Sequence, residues 1–290
     1  MESMIITPNS KDPEVQILSE EFQKRGYNVH YFIPSTIKID VGFQRSFYKQ
    51  FEFLEPKAAL VRGFGAAATQ RIFFRLDLLR AIEEYDVKLI NSRESLEIAS
   101  DKFLTSVFLE NYNIPTPKTI ICEDAQKALE AFDELGRDCV IKPLYGSKGI
   151  GITRLNDKGF AENIIYSLGQ LNQVFYLQEF IEHYNRDIRI LVLGDKVIAG
   201  MYRTSDSWKT NIYAGAKPEP IEIDKELENL AIKAAKITKT EIAGVDIIEC
   251  EKGYSILEVN SIPGFKALQK VTDVKIAEEI VNYFLEKAIS

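Results

Sequence analysis

Short apolar runs alternate with amphipathic stretches through the first 95 residues of the chain. Pro13 suits the first turn of a helix, and apolar residues follow it at helical spacing until Gly26 ends the pattern. A second amphipathic stretch predicts a helix that continues to about Tyr85. Strands are expected beside these helices at residues 4–7, 27–33, 58–61 and 87–90. This β–α–β alternation predicts a parallel sheet flanked by helices.

The pattern of the middle of the chain predicts a small α+β lobe. Ser100 and Asp101 are suited to cap a helix. The expected elements are helices at 102–111, 124–135 and 157–168, strands at 118–121 and 139–143, and a glycine-containing loop at 145–151 that leads to another strand.

Strands dominate from Phe175 onward. The expected elements are strands at 175–180, 187–193, 196–203, 242–250 and 254–260, and helices at 224–238 and 274–288. Together these patterns predict three units, with boundaries at 1–95, 96–178 and 179–290.

Composition narrows the function. The 290 residues carry a net charge of −7 and no basic patch, so we expect no nucleic-acid partner. There is no 18-residue apolar run and no signal-peptide pattern, so we expect no membrane partner and a cytoplasmic location. Three cysteines without CxxC spacing indicate free thiols, and two histidines make a histidine-based triad or metal cluster hard to build. The chemistry therefore has to come from carboxylates, lysines, arginines and amides.

Two adjoining strands near the C-terminus carry the most specific local signal. Gly253 suits a hairpin loop between them, and in that register Asp246 lies opposite Glu258. Asn260 shares a strand face with Glu258. Opposed carboxylates destabilise a hairpin unless a cation lies between them, and these oxygen donors suit Mg²⁺ or Mn²⁺. The competing interpretation is an exposed sheet face with scattered acidic residues.

Basic residues and a loop of small residues point to an anionic ligand. The loop Gly146-Ser147-Lys148-Gly149-Ile150-Gly151 is neither a Walker loop nor GxGxxG, but its amides could bind phosphate. Lys142 at the preceding strand end could supply a charge, and an ordinary hairpin is the alternative. A second basic set comprises Arg189, Arg203 and Lys209 with Asn211, for which a solvent-exposed surface is the alternative to a cleft.

Seven motifs in this order resemble the ATP-grasp superfamily, and within it the RimK-type branch. They are Ser100-Asp101-Lys102, Val140-Ile141-Lys142-Pro143, the 146–151 loop, Gln178-Glu179-Phe180-Ile181, Asp187-Ile188-Arg189, Ala243-Gly244-Val245-Asp246, and Leu257-Glu258-Val259-Asn260 followed by Pro263-Gly264. The resemblance covers almost the whole chain. It implies an ATP-grasp fold, in which a parallel-sheet lobe precedes two α+β lobes that clasp ATP.

The resemblance also implies roles for individual residues. Lys102 and Lys142 would contact ATP phosphates, and the 146–151 loop would close over them. Backbone groups around Glu179, Phe180 and Ile181 would hold adenine, with Asp187 near the ribose, and Gln178 belongs to the same nucleotide-binding set. Asp246, Glu258 and Asn260 would bind two Mg²⁺ or Mn²⁺ ions. Arg189, Arg203, Lys209 and Asn211 would face the γ-phosphate, the acyl phosphate and the incoming amino acid, and Arg62 would contact the acceptor.

The implied reaction activates an acceptor carboxylate as an acyl phosphate and joins it to an amine. We expect L-glutamate as the donor and tetrahydromethanopterin or coenzyme F420 as the acceptor, partly because LysX-type ligases usually lack the Pro263-Gly264 pair. The alternatives are a ribosomal S6-type or LysX-type ligase, a D-alanine–D-alanine or glutathione-type ligase, and a nucleotide-binding regulatory protein without turnover. A homo-oligomer, dimer or tetramer, is expected.

Overall fold

A computed structural model describes residues 2–39, 56–65, 69–146, 149–251 and 253–289. Its first sheet is parallel, as predicted, with strand order β2-β1-β3-β4. Asp12 caps the first helix by accepting a hydrogen bond from the Glu14 amide at 2.9 Å. The elements of this unit are β1 Glu2–Ile6, α1 Pro13–Lys24, β2 Asn28–Phe32, β3 Ala58–Val61, α2 Thr69–Glu83 and β4 Lys88–Ile90.

Helix α3 (Arg93–Ser100) was not predicted from the hydrophobic pattern. It meets α4 (Lys102–Asn111) at Asp101, which is both the C-terminal cap of α3 and the N-terminal cap of α4. The Asp101 carboxylate accepts a hydrogen bond from the Phe103 amide at 2.8 Å. A single residue therefore separates α3 from α4, and Lys102 is the first residue of α4.

The second sheet is antiparallel, with strand order β5-β8-β6-β7. Two helices cover one of its faces around a core that contains Phe132, Ile141 and Leu177. The elements are β5 Thr119–Cys122, α5 Ala125–Glu134, β6 Cys139–Lys142, β7 Thr153–Leu155, α6 Lys158–Gln170 and β8 Phe175–Glu179. The predicted α+β lobe is confirmed.

The third sheet is also antiparallel, with strand order β11-β10-β9-β12-β13. The edge strand β11, whose sequence is Lys-Pro-Glu-Pro, was not predicted; prolines are confined to such edges because they cannot donate to a ladder. The elements are β9 Arg186–Leu193, β10 Lys196–Thr204, β11 Lys217–Pro220, α7 Lys225–Ile237, β12 Ile242–Cys250, β13 Gly253–Asn260 and α8 Ile276–Ile289.

The first and third sheets share one hydrophobic core. Buried Phe22 of α1 packs edge-to-face on Phe284 of α8, with ring centroids 5.4 Å apart. The same cluster contains Leu60, Leu191 and Phe265. The predicted boundaries separate residues 1–95 from 179–290, and these two parts are joined by continuous packing.

Two further expectations concern membrane spans and the state of the cysteines. In the parts of the chain with described coordinates, no helix has both the length and the apolar character needed to cross a bilayer. Cys122, Cys139 and Cys250 are free thiols; Cys139 is buried, whereas the other two are partly exposed.

Asn91 joins the first and third units through backbone hydrogen bonds. Its side-chain oxygen accepts from the amides of Glu241 and Ile242 at 2.7 and 2.8 Å. Its side-chain nitrogen donates to the carbonyls of Ile242, at 2.8 Å, and Ser261. The residue is 1% exposed, so water cannot replace these four bonds.

We predict that Asn91→Ala lowers the free energy of unfolding by about 2–4 kcal/mol, because several buried backbone groups lose their partners at once. Asn111→Ala, at an exposed position that ends α4, is the matched control and should change it by less than about 0.5 kcal/mol. Chemical denaturation measures both. Equal stability of the two variants would contradict the role given to Asn91.

Candidate active site

A cavity of about 560 Å³ lies between the second and third sheets. Helix α1 and the segment that follows β13 contribute to one part of its wall. Most of the predicted site residues line it: Lys102, Lys142, Gly146, Gly149, Ile150, Gln178, Glu179, Phe180, Ile181, Asp187, Arg189, Arg203, Lys209, Asn211, Asp246, Glu258 and Asn260. Motifs far apart in sequence therefore meet in one place.

The hairpin register is as predicted, with Asp246 opposite Glu258 and Gly244 opposite Asn260. The expected repulsion between the two carboxylates is offset, however, by neighbours on the other side of β12. Arg189 is the cross-strand neighbour of Asp246 on β9 and donates two hydrogen bonds to it, one of them at 2.8 Å. Arg203 lies 3.1 Å from the same carboxylate.

Four charges of alternating sign thus form a continuous network on one sheet face. Arg203 also donates to both oxygens of Asp187, its cross-strand neighbour, at 2.7 and 2.6 Å. Burial opposes ionisation of Asp246, but Arg189 and Arg203 outweigh it and hold its pKa below the ordinary value. Burial likewise opposes the charge of Arg203, whereas Asp246 and Asp187 raise its pKa above the usual range.

Asp187 is committed to this network. It is 3% exposed, and besides Arg203 it accepts a hydrogen bond from the Thr210 hydroxyl at 2.7 Å. A ribose hydroxyl, the contact expected for Asp187, would have to compete with these donors. The position of Asp187 supports a second task, which is to orient Arg203 toward Asp246.

A hydrogen-bond chain holds Lys142 at the end of β6. Its amine donates to the Gln178 side-chain oxygen at 2.5 Å, and the Gln178 nitrogen donates to Thr119 at 3.0 Å and Tyr176 at 3.2 Å. The Tyr176 hydroxyl in turn contacts Ser106 of α4 at 2.8 Å. Burial lowers the pKa of Lys142 to about 8, although Glu258 opposes this shift. Because its partner is a neutral amide, Lys142 keeps a charge available for a ligand.

The loop after β6 approaches the strand-rich lobe. Gly149 has φ +70°, and a side-chain carbon there would come within 2.8 Å of the Asn211 side chain, so glycine is required both by conformation and by space. Lys102 lies 3.4 Å from the Gly146 carbonyl and 4.0 Å from Glu258. Gly151, also predicted, does not line the cavity, although its neighbours Ile150 and Ile152 do. The predicted Ser147 and Lys148 lie outside the described residues.

An apolar part of the cavity was only partly predicted. Phe180 and Ile181 were expected there, and the structure adds apolar residues from several elements: Pro117, Val140, Ile152, Trp208, Ile248 and Leu257. Arg154 lies 3.4 Å over the Phe180 ring and is held by two hydrogen bonds to Asp138, at 2.7 and 2.6 Å. Alternation along β6 could have indicated Val140, which shares a strand face with Lys142.

Arg62, which is expected to contact the acceptor, contacts other parts of the protein in this structure. Its side chain is only 4% exposed and donates to Glu14 at 3.1 Å and to the Pro263 carbonyl at 2.9 Å. Glu14 also accepts from the amides of Phe265 and Lys266 at 2.7 and 2.8 Å. Arg62 therefore ties the first unit to the segment after β13, and direct substrate contact by Arg62 stays a prediction.

The oxygen donors of the hairpin fit a hard divalent cation. Asn260 directs its amide nitrogen toward the Gly244 carbonyl at 3.2 Å, which leaves its oxygen for another partner. Glu258 has a half-buried carboxylate, and its nearest cation among the described residues is Lys102, 4.0 Å away. Two carboxylates and an amide oxygen suit Mg²⁺ or Mn²⁺, and nearby cations that have no carboxylate partner in the described parts of the chain suit phosphate. The site can therefore bind a metal-complexed polyphosphate beside a flat apolar group.

Comparison with known proteins agrees with this geometry. The family model of the RimK-like ATP-grasp domain matches residues 99–284. A tetrahydromethanopterin:alpha-L-glutamate ligase from Methanococcus maripaludis is 38% identical over 88% of this chain and 87% of its own. An alpha-aminoadipate–LysW ligase, LysX, from Saccharolobus solfataricus is 36% identical over 71% of this chain and 76% of its own. The crystal structure of an ATP-grasp RimK domain protein from Sphaerobacter thermophilus superposes with a TM-score of 0.77 at 20% identity, covering 98% of this chain and 99% of that one. By these matches, this chain belongs to the RimK-like ATP-grasp family.

Proposed function

We propose that this protein joins an acceptor carboxylate to the α-amine of L-glutamate, with conversion of ATP to ADP and phosphate. The observation that carries the proposal is that one cavity combines the Asp246, Glu258 and Asn260 oxygen donors with three lining cations that have no carboxylate partner. These cations, judged over the described residues, are Lys142, Lys209 and Lys266. Nucleotide binding alone would not need this combination.

The nucleotide end of the cavity is supported by its apolar lining. The adenine base would lie among Phe180, Ile181 and Leu257, and the phosphates would extend toward Lys142 and Lys102. Asp246, Glu258 and Asn260 would hold two Mg²⁺ or Mn²⁺ ions, which neutralise charge on the phosphate oxygens when bound. The amides of the 146–151 loop would cover the phosphates and exclude water.

The reacting groups would meet beside the buried charge network. In-line attack of the acceptor carboxylate on the γ-phosphorus forms an acyl phosphate and releases ADP. The uncharged amine of glutamate then attacks the acyl carbon, phosphate leaves, and the nitrogen loses its extra proton. Arg189, Arg203 and Lys209 would compensate the charge of the anionic groups, and Asp246 and Asp187 hold the two arginines in position beforehand. Exclusion of water protects the acyl phosphate from hydrolysis.

The acceptor is inferred from relatives. Two relatives called tetrahydromethanopterin:alpha-L-glutamate ligases, 38% and 36% identical over 88% and 95% of this chain, support tetrahydromethanopterin as the acceptor. The LysX relatives support an amino-group-carrier protein as the second candidate, over a smaller share of the chain. A homo-oligomer remains the expected assembly.

The substrate test offers the purified protein ATP, Mg²⁺ and L-glutamate with each acceptor in turn. Mass spectrometry should show one added glutamyl unit on tetrahydromethanopterin, together with one ADP per product. Addition to coenzyme F420 or to a carrier protein alone would overturn the acceptor and leave the ligase reaction standing. No ADP formation with any of these acceptors would contradict the proposed reaction.

The two opposed carboxylates should respond differently to neutralisation. We predict that Asp246→Asn and Glu258→Gln each lower kcat by about 100-fold or more, because each removes a charged oxygen donor. Only Asp246→Asn should also lower the free energy of unfolding, by about 3 kcal/mol, since it leaves Arg189 and Arg203 without their shared partner. Glu258→Gln should change stability by less than about 1 kcal/mol.

Steady-state kinetics and chemical denaturation without nucleotide measure these two effects separately. Full turnover by Glu258→Gln with Mg²⁺ would contradict the assignment of Glu258 as a metal ligand. An unchanged free energy of unfolding in Asp246→Asn would show that burial of Arg189 and Arg203 does not require the Asp246 charge.

Lys142 should make ATP binding depend on pH. Its pKa of about 8 in the free protein means that its charge is lost above pH 8, whereas a bound phosphate favours the charged form. Binding above pH 8 therefore takes up a proton, and the Kd for an ATP analogue should rise about tenfold between pH 7 and pH 9. Trp208 is the single tryptophan of the chain and lines the cavity, so its fluorescence can follow binding.

Lys142→Arg is the matched control, because a guanidinium stays charged throughout this pH range. Its Kd should be nearly constant from pH 7 to pH 9, whatever its absolute value. The same pH dependence in both proteins would assign the titration to another group.

A further inference from the structure

The segment after β13 presents a cation whose task is not covered by nucleotide or metal binding. Lys266 is exposed and lines the cavity, and among the described residues no carboxylate lies within ion-pair distance of its amine. Lys142 and Lys209, the other two such cations, lie on the central lobe and after β10. Lys266 therefore marks a third wall of the cavity.

The backbone at Lys266 is fixed in place, unlike that of an ordinary surface lysine. Its amide donates to the Glu14 carboxylate at 2.8 Å, and the Phe265 amide donates to the same oxygen at 2.7 Å. Arg62 holds the other Glu14 oxygen at 3.1 Å and the Pro263 carbonyl at 2.9 Å. Burial lowers the pKa of Arg62, with Glu14 opposing the shift. The negative charge of Glu14 is thus already balanced by Arg62, and Lys266 is not needed as its partner.

The same segment reaches the reacting centre. The space beside Gly244 is filled by the Arg189 guanidinium and by Pro263, since a side-chain carbon at Gly244 would lie 2.8 Å from each. Arg189, which is bonded to Asp246, and Pro263, at the start of the segment that carries Lys266, are therefore both neighbours of Gly244. Along the chain, the metal-binding Asn260 is followed by Ile262, Gly264 and Lys266, all of which line the cavity. A substrate that reaches from the reacting centre along this wall arrives at Lys266.

We infer that Lys266 is an acceptor-specificity residue that binds a second anionic group of the acceptor, apart from the carboxylate that is activated. The inference rests on the proposed function and deepens it, because it defines the substrate class as a polyanionic acceptor. Charge carries the assignment: the Lys266 amine has no carboxylate partner within the described ranges and is held on a fixed backbone at the cavity wall, so it adds affinity only when an anion is bound. The first unit contributes indirectly, because Glu14 and Arg62 position this segment.

The test compares Lys266→Gln with Lys266→Arg and with Lys270→Gln. Lys270 is an exposed lysine four residues further on that does not line the cavity, so it is the matched control. The probe is tetrahydromethanopterin, with saturating ATP, Mg²⁺ and L-glutamate. Lys266→Gln should raise the KM for the acceptor about tenfold or more and leave kcat and the KM values for ATP and glutamate within about twofold. Lys266→Arg should recover most of the lost affinity, and Lys270→Gln should match the unmodified protein.

Calorimetric binding of the same acceptor to protein loaded with Mg²⁺ and a non-hydrolysable ATP analogue should show the same order. An unchanged acceptor KM in Lys266→Gln would overturn the inference while the unmodified protein still turns over. A rise confined to the KM for glutamate would assign Lys266 to the donor and also overturn it. Failure of the unmodified protein to form product would instead count against the proposed function.

Discussion

The site depends on one buried chain of alternating charges, Arg189, Asp246, Arg203 and Asp187. Cross-strand neighbours on β9, β10 and β12 place these groups on one sheet face, and each has at least one partner of opposite sign. Burying such groups is costly unless their mutual attraction compensates. A cation at Asp246 would weaken its hold on both arginines, and phosphate oxygens would then be their natural partners. We therefore expect metal and nucleotide binding to be coupled through Asp246.

The first unit is packed against and hydrogen-bonded to the third sheet. It shares a hydrophobic core with the third sheet, and Asn91 satisfies backbone groups beside both β12 and the end of β13. Glu14 and Arg62 extend this attachment to the segment after β13. The position of the segment that carries Lys266 thus depends on residues from the beginning of the chain.

The sequence was most informative where a signal was local. Strand alternation and a hairpin glycine were enough to predict that Asp246 faces Glu258, and apolar runs predicted the first parallel sheet. The partners of Asp246 could not be predicted in this way, because they follow from the order β10-β9-β12, which no local pattern encodes. Arg62 shows the same limit, since its burial against Glu14 brings together residues 48 positions apart. Strand β11 was missed because its prolines disfavour a strand everywhere except at an edge.

The central claim is that this site activates a carboxylate by phosphorylation before an amide forms. The most direct measurement uses an acceptor whose reacting carboxylate carries ¹⁸O at both oxygens, with unlabelled ATP, L-glutamate and water. The account predicts that the phosphate released in each turnover contains one ¹⁸O atom, because the acceptor oxygen that attacked the γ-phosphorus leaves with it. Product formed with unlabelled phosphate, or with the label in AMP, would contradict an acyl phosphate and with it the mechanism assigned to this cavity.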